Sequence, residues 1–168
     1  TEIVGLVPKK VLVDAGRHFL HKQQRSTGVT EKELVRIAIE SMGLSTLKEF
    51  KPEEKVIEYM LEAEEQKGVK RLVDMTCAAF AEETASESPA PGGGSISAYM
   101  GALAAALGTM VANLSSHKAG WDDRWEHFSE WAENGMRVMN ELLALVDEDT
   151  AAFNKIMDVF GMPKGTAE

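Results

Sequence analysis

The sequence predicts a mainly helical fold, a helical bundle preceded by a short strand and helix. Apolar residues recur at steps of three and four along most of the 168 residues, as on the buried face of a helix. Beyond Ser95 no proline occurs until Pro163, which leaves room for long uninterrupted helices. Only the run from Glu2 to Val7 has the composition of a strand. Because a lone strand cannot pair its own backbone, we expect this run to pair with sequence outside the chain, with a second copy, or with nothing.

Composition and charge narrow the class of protein. Hydrophobic residues make up 44% and charged residues 27%, the balance of an ordinary soluble protein. The formal net charge of -9 argues against binding to nucleic acid or to an anionic membrane, because both require a basic surface. The single cysteine, Cys77, cannot form a disulfide within the chain, which indicates a reducing, cytoplasmic setting. Its apolar neighbours predict a place in the core. No Cys/His spacing is typical of zinc, and we predict no metal site.

The chain divides into two unequal pieces with a linker between them. The first domain is predicted over residues 1–61, the linker over residues 62–70 and the second domain over residues 71–168. The linker is predicted because this run is polar, highly charged and ends near a glycine. A frayed helix is the alternative there. The start at Thr1, without methionine or signal peptide, indicates a piece of a longer protein.

Local signals place the helices. Apolar residues at helical spacing follow Pro8, namely Val11, Leu12, Ala15 and Phe19. Thr30 and Glu33 form a capping box at the start of the next helix, and Gly43 ends it. Pro52 begins a short third helix. After the linker, a longer helix is predicted from the spacing of Leu72, Met75, Ala79 and Phe80.

A helix of small residues is predicted from Ile96 to Leu114. The segment is uncharged over 19 residues, long enough to span a bilayer. Alanine and glycine dominate it, no basic flank precedes it, and Asn113 lies near its end, so we predict no membrane span. Small side chains all round a helix indicate close neighbours on every side, as at the centre of a bundle.

A glycine-rich loop precedes that helix and is a candidate binding site. It reads Pro89-Ala90-Pro91-Gly92-Gly93-Gly94-Ser95, and Ser95 is a good N-cap residue. Three glycines let backbone approach a ligand closely, and a helix N-terminus offers free N–H groups. A carboxylate, a phosphate or a polarised heterocycle would suit such a site. A tight turn between helices is the alternative, although three glycines and two prolines are more than a turn requires.

The last predicted helix carries an apolar seam with one acid in it. The seam consists of Trp121, Trp125, Phe128, Ala132, Gly135, Met139, Leu142, Val146, Asp149, Phe153, Ile156 and Phe160. An unpartnered carboxylate among apolar neighbours suffers a desolvation penalty, so Asp149 is a candidate general acid and base that holds a proton near neutral pH. The alternatives are a buried ion pair or a kink that turns Asp149 into water. Asp147 and Glu148 fall off the seam and are expected in solvent.

Long motifs in both pieces resemble the formiminotransferase-cyclodeaminase family. The blocks that resemble its cyclodeaminase domain are Ser88 to Ser95, Gly101 to Leu114, Leu145 to Phe153 and Met162-Pro163-Lys164, and those that resemble the end of its formiminotransferase domain are Glu2 to Pro8 and Glu54 to Tyr59. The end of one domain, the linker and the start of the next domain occur in the same order as in the fused protein of that family. The resemblance implies a junction fragment: a partial cyclodeaminase-like bundle behind a strand-helix remnant of an α/β transferase domain.

The resemblance also implies a function. The transferase half would move a formimino group from formiminoglutamate, a histidine-breakdown product, to tetrahydrofolate. The cyclodeaminase half would close 5-formiminotetrahydrofolate to 5,10-methenyltetrahydrofolate and release ammonia. The family's catalytic aspartate corresponds to Asp149. Folate, here a substrate, would be held by Gly92, Gly93, Gly94 and Ser95, with Lys118 and Lys164 as electrostatic partners.

Three departures from the family pattern bear on these expectations. His117-Lys118-Ala119 stands where the family usually has a glycine and two basic residues, which reduces the positive charge there. The transferase catalytic histidine belongs to a region that this chain does not contain, so none of its four histidines inherits that role. The chain ends at Glu168, before the family's bundle is complete, so we expect it to be inactive alone and to form homo-oligomers.

Two other functions compete with this one. A methenyltetrahydrofolate cyclohydrolase would use the same motifs, although the transferase-like first piece favours the deaminase. A non-catalytic helical association module would need only the apolar seam, and it has no use for an acid beside a glycine-rich loop.

Overall fold

The computed structural model describes residues 1–161, and they form a mainly helical protein, as predicted. The α-helices are α1 (Lys9–Lys22), α2 (Glu31–Met42), α3 (Pro52–Lys55), α4 (Ile57–Glu65), α5 (Cys77–Thr84), α6 (Gly93–Ser115) and α7 (Trp125–Gly161), with short 3-10 helices at Leu72–Asp74 and Asp122–Arg124. The chain forms two compact units. The first contains Thr1–Val69 and Ala106–Arg137, and the second contains Lys70–Ala105 and residues 138–161. Helices α6 and α7 therefore contribute residues to both units.

The core of the first unit lies where α1 packs against α2. Its buried members are Val7, Leu12, Val13, Leu20, Leu34, Val35, Ala38, Leu44 and Val56. The two helices touch at Gly16, where an added Cβ would lie 2.7 Å from the carbonyl carbon of Leu34. Since that neighbour is backbone, only glycine permits this approach.

The predicted strand is not found in the described residues. Val7 instead makes an isolated parallel bridge with Val56. Its N–H donates to the Lys55 carbonyl at 2.8 Å, and its carbonyl accepts from the Ile57 N–H at 3.1 Å. Val7, the last residue of the run from Glu2, thus pairs within the same chain, with Val56, which separates α3 from α4 in extended conformation.

The capping predictions for α2 are confirmed. The Thr30 hydroxyl accepts from the Glu33 N–H at 3.2 Å, and Gly43 ends the helix in the left-handed region with φ 66°. The prediction of a long helix from Arg71 onward is wrong. A 3-10 turn comes first, and an extended Thr76 caps the eight-residue α5 by accepting from the Ala79 N–H at 3.2 Å.

Helix α6 is long and uninterrupted, as predicted, but the prediction of neighbours on every side is wrong. Ala102, Thr109 and Ala112 are buried, whereas the opposite face is exposed. The exposed apolar side chains of α6 are Met100, Leu103, Leu107, Met110, Val111 and Leu114. By length and composition α6 could cross a membrane, a test that core helices of soluble proteins also pass.

The apolar seam of α7 is confirmed only along its first part. Trp125, Phe128, Ala132 and Val146 are buried. Beyond Asp149 the seam turns into solvent, since Ile156 is 55% exposed.

The Gly16 contact gives a stability prediction. Gly16→Ala should lower the free energy of unfolding by about 1–3 kcal/mol, because the new Cβ meets the Leu34 backbone, which cannot rotate away. Gly108→Ala is the matched control: it is also helical, its Cβ would meet nothing within 4 Å, and it should gain up to about 1 kcal/mol from helix propensity. Urea denaturation followed by circular dichroism measures both. Equal stability of Gly16→Ala and wild type would contradict the close packing.

Candidate functional site

The glycine-rich loop leads directly into α6. The helix begins at Gly93, and the Gly92 carbonyl accepts from the Ile96 N–H at 3.1 Å. Ser95 therefore lies within the first turn, and the prediction that it is the N-cap residue is wrong. Its side chain is fully buried and faces α7.

Ser95 binds Asp149 through two groups. Its N–H donates to Asp149 Oδ2 at 2.8 Å, and its hydroxyl lies 3.0 Å from the same oxygen. The hydroxyl also lies 2.9 Å from the Val146 carbonyl and 3.0 Å from the Thr150 hydroxyl. A serine hydroxyl has one proton and two acceptor positions. It can therefore donate to an ionised Asp149, or accept from a protonated one while it donates to the Val146 carbonyl.

Gly94 is the close-approach position of the loop. An added Cβ would lie 2.6 Å from Asp149 Cγ and 2.7 Å from Oδ2. At Gly92 and Gly93 an added Cβ would meet nothing within 4 Å. Packing within the described chain therefore accounts for the glycine at position 94, while beside the other two there is open space.

Asp149 differs from its predicted environment. The predicted apolar enclosure is wrong, because Asp149 is an exposed residue whose carboxylate is hydrogen-bonded by Ser95. That carboxylate takes an N–H of the first turn of α6, where the helix dipole favours negative charge. The arrangement joins an accessible carboxylate to a glycine-rich loop, so it can hold or pass a proton beside a bound molecule.

The two predicted lysines are not among the described contacts of this site. Lys118 follows the C-terminal end of α6 and belongs to the first unit, where its Nζ lies 4.3 Å from the Trp121 ring centroid. Lys164 lies outside the described residues. Within residues 1–161 no group of three or more His, Cys, Asp or Glu side chains could hold a metal ion.

Two further predictions near the site are wrong. Cys77 is exposed at the start of α5 instead of buried in the core, and its Sγ lies 3.8 Å from the Tyr99 hydroxyl. That hydrogen bond, together with the charge of Cys77 and burial, raises the pKa of Tyr99.

Asp147 is not simply solvated, since it accepts from the Leu72 N–H at 2.6 Å and ties the 3-10 turn to α7. Glu148 is exposed, as predicted.

Sequence reasoning named Ser95 as a ligand-binding residue but missed that it holds Asp149, and it missed the Thr150 hydroxyl that meets Ser95. Thr150 follows Asp149 directly, and Ser95 lies on a different helix. Polar residues three or four places apart on one helix can be recognised from the sequence. The pairing of Ser95 with α7 cannot, because it depends on packing between two helices.

The fold and the site define a class of protein: a helical protein in which the glycine-rich N-terminus of one long helix meets an acid on a second long helix. Residues 76–168 match the family model described as formiminotransferase-cyclodeaminase. Residues 1–62 match the formiminotransferase domain. The chain belongs to the formiminotransferase-cyclodeaminase family.

Individual relatives agree with the family models. The formimidoyltransferase-cyclodeaminase of Gallus gallus is 35% identical over 173 residues, covering 100% of this chain and 30% of that protein. The protein of the same name from Dictyostelium discoideum is 35% identical, covering 98% of this chain and 30% of its own length. A methenyltetrahydrofolate cyclohydrolase of Methylorubrum extorquens is 33% identical over 93 residues, 55% of this chain and 45% of that protein. The chain thus spans about 30% of the length of its formimidoyltransferase-cyclodeaminase relatives.

The close approach at Gly94 predicts a local effect of substitution. Gly94→Ala should push the Asp149 carboxylate aside and break its hydrogen bond with the Ser95 N–H, while overall stability falls by no more than about 1 kcal/mol because a side chain can move. Gly93→Ala is the matched control, since its Cβ meets nothing within 4 Å. In ¹H–¹⁵N spectra the Ser95 amide should shift upfield in the first variant alone. An unchanged Ser95 amide in Gly94→Ala would contradict the contact.

Proposed function

We propose that this chain carries the catalytic acid and base of a formimidoyltetrahydrofolate cyclodeaminase, and that this acid is Asp149. One observation carries the proposal: an accessible carboxylate is fixed by Ser95 at 2.8 Å beside a glycine-rich loop with open space next to it. The family membership and the carboxylate's position support the same residue independently.

The loop would hold the pterin ring of a folate substrate. Asp149 already occupies the N-terminal turn of α6 through the Ser95 N–H, so a carboxylate of the ligand would compete with it for the same positive helix end. A neutral heterocycle meets no such repulsion and can lie against the backbone at Gly92 and Gly93. This favours the pterin over the glutamate tail as the group bound by the loop. That Lys118 and Lys164 meet the anionic tail stays a prediction from the family resemblance.

The reaction requires proton transfers that one carboxylate can perform. The formimino group is an amidine and reacts in its protonated form, N5–CH=NH2+. N10 attacks the formimino carbon, and a tetrahedral intermediate forms. Asp149 takes the proton from N10 and delivers it to the NH2 group, so the C–N bond breaks, NH3 leaves and the positive charge stays on the 5,10-methenyltetrahydrofolate product. The Ser95 hydroxyl suits both stages, because it can donate to the ionised carboxylate and accept from the protonated one.

The transferase activity and the place in histidine degradation rest on the family. We propose that the protein containing this sequence also transfers the formimino group from formiminoglutamate to tetrahydrofolate, in the cytoplasm. The free, exposed thiol of Cys77 supports a reducing compartment.

A cyclohydrolase is the second candidate function. It is favoured by the relative from Methylorubrum extorquens, which bears that name. In that case Asp149 would activate water against methenyltetrahydrofolate instead of assisting ammonia release. Ammonia formation from 5-formiminotetrahydrofolate separates the two candidates.

Replacement of the acid gives the direct test. In an intact protein that carries this sequence, Asp149→Asn should lower the rate of ammonia release by at least about 100-fold, because the amide cannot take or give the proton. Folate binding, measured by fluorescence titration, should change by less than about threefold. Glu148→Gln is the matched control, an exposed neighbouring acid that should keep full activity. Undiminished turnover in Asp149→Asn would remove the assignment.

We also propose that copies of this chain associate through α6. The exposed apolar face includes Met100, Leu107 and Leu114, which are 61–66% exposed. No charged residue interrupts the segment from Ile96 to Leu114, so two copies could pair along it without like-charge repulsion despite the net charge of -9.

Light scattering tests that association. The chain should have the mass of a dimer or larger assembly at micromolar concentration, and Leu107→Glu should shift it toward monomer because a charge then enters the apolar face. Glu148→Gln again serves as a control. A clean wild-type monomer would overturn the proposal.

A further inference from the structure

The loop between α1 and α2 lies against the paired helices α6 and α7 within the first unit. The loop belongs to the segment that matches the formiminotransferase domain, and the helices belong to the segment that matches the cyclodeaminase family. Thr27 and Gly28 make the contact, and Ser26 beside them accepts from the Gly28 N–H. Ser26 and Thr27 are 3% and 7% exposed although both are polar. Buried polar residues in a loop indicate a specific contact.

The fit at Gly28 requires small residues on both sides. An added Cβ at Gly28 would lie 2.6 Å from the backbone nitrogen of Glu133 and would also overlap Ala132. Ala132 is fully buried. Because backbone of α7 is part of the obstacle, no side-chain rotation could accommodate a larger residue at position 28.

The hydrogen bonds that Thr27 forms with α7 have one consistent set of donors and acceptors. The Thr27 N–H donates to Ser129 Oγ at 2.9 Å, and the two hydroxyls lie 3.0 Å apart. The Thr27 hydroxyl also donates to Glu133 Oε1. An ionised carboxylate accepts only, so the Thr27 proton goes to Glu133 and the Ser129 hydroxyl donates to Thr27. Ser129 and Glu133 lie four residues apart on one face of α7.

Helix α6 also binds this loop. The Asn113 amide Nδ2 donates to the Gly28 carbonyl at 2.8 Å. Side chains of the two helices thus bind two main-chain groups of the loop, the Thr27 N–H and the Gly28 carbonyl. Just beyond α6, the pKa of His117 is lowered by burial and by the charge of Arg25 at the start of the loop. His21 at the end of α1 contacts Trp125 edge to face, with ring centroids 5.1 Å apart.

The loop has a defined shape of its own. The Ser26 hydroxyl accepts from the Gly28 N–H at 3.2 Å, and the Val29 N–H donates to the Thr27 carbonyl at 2.9 Å. A loop held by its own hydrogen bonds loses little entropy when it binds a partner surface.

We infer that residues 26–28 are a docking element through which the transferase-matching segment recognises the cyclodeaminase-matching helices, so that the two segments stay associated without a covalent connection. Small residues in close contact, buried hydrogen bonds from Ser129, Glu133 and Asn113 to the loop, and a preformed loop are the features of a recognition surface.

Cleavage of the connecting chain tests this inference. A protease recognition sequence placed between Gly68 and Val69, both exposed, allows the folded chain to be cut once. The two pieces of the wild-type sequence should stay together in size-exclusion chromatography and native mass spectrometry. Gly28→Ala should make them separate after cleavage, whereas Gly108→Ala, whose Cβ has open space, should leave them together. Separation of the wild-type pieces, or continued association of the Gly28→Ala pieces, would overturn the inference.

A milder variant covers the case in which Gly28→Ala does not fold. Ser129→Ala leaves the Thr27 N–H without its acceptor, so the cleaved pieces should dissociate with a Kd raised at least about fivefold. Ser97→Ala is its control, since that hydroxyl donates within α6 to the Gly93 carbonyl, and it should leave the Kd unchanged. Equal Kd values for Ser129→Ala and wild type count against the docking element.

Discussion

The close contact between the start of α6 and the middle of α7 is the constraint on which the candidate site depends. Ser95 is fully buried there and meets Val146, Asp149 and Thr150 through one hydroxyl and one N–H. Glycine at position 94 leaves room for the Asp149 carboxylate, since an added Cβ there would lie 2.6 Å from its Cγ. The loop and the acid therefore come together because α6 and α7 lie close enough for the side chain of one serine to bond both Val146 and Asp149.

Fixed hydrogen bonds, not burial, hold the acid of this site: Asp149 remains accessible while the Ser95 N–H and hydroxyl orient its carboxylate. The Ser95 hydroxyl can donate to an ionised carboxylate and accept from a protonated one. An accessible acid with two satisfied states suits a reaction in which one group must take a proton and then release it.

The same packing device recurs elsewhere in the described chain. A small residue on one element lets backbone or a polar side chain of another element come close, as at Gly16 with Leu34 and at Gly28 with Ala132. Thr109 meets Gly135 in the same way. Close backbone approach then makes short side chains such as serine and threonine sufficient to bridge neighbouring elements, and their hydrogen bonds make each contact specific for one register.

The sequence by itself determined the helical class, the capping of α2, the length of α6 and α7, and the family, because these depend on local spacing and on motifs read along the chain. It also pointed to Asp149 and the glycine loop. Tertiary structure decided what surrounds them. The pairing of Ser95 with α7, the exposure of Asp149 and of Cys77, and the bridge between Val7 and Val56 each depend on which elements meet, and residues far apart in sequence carry no local signal of their contact.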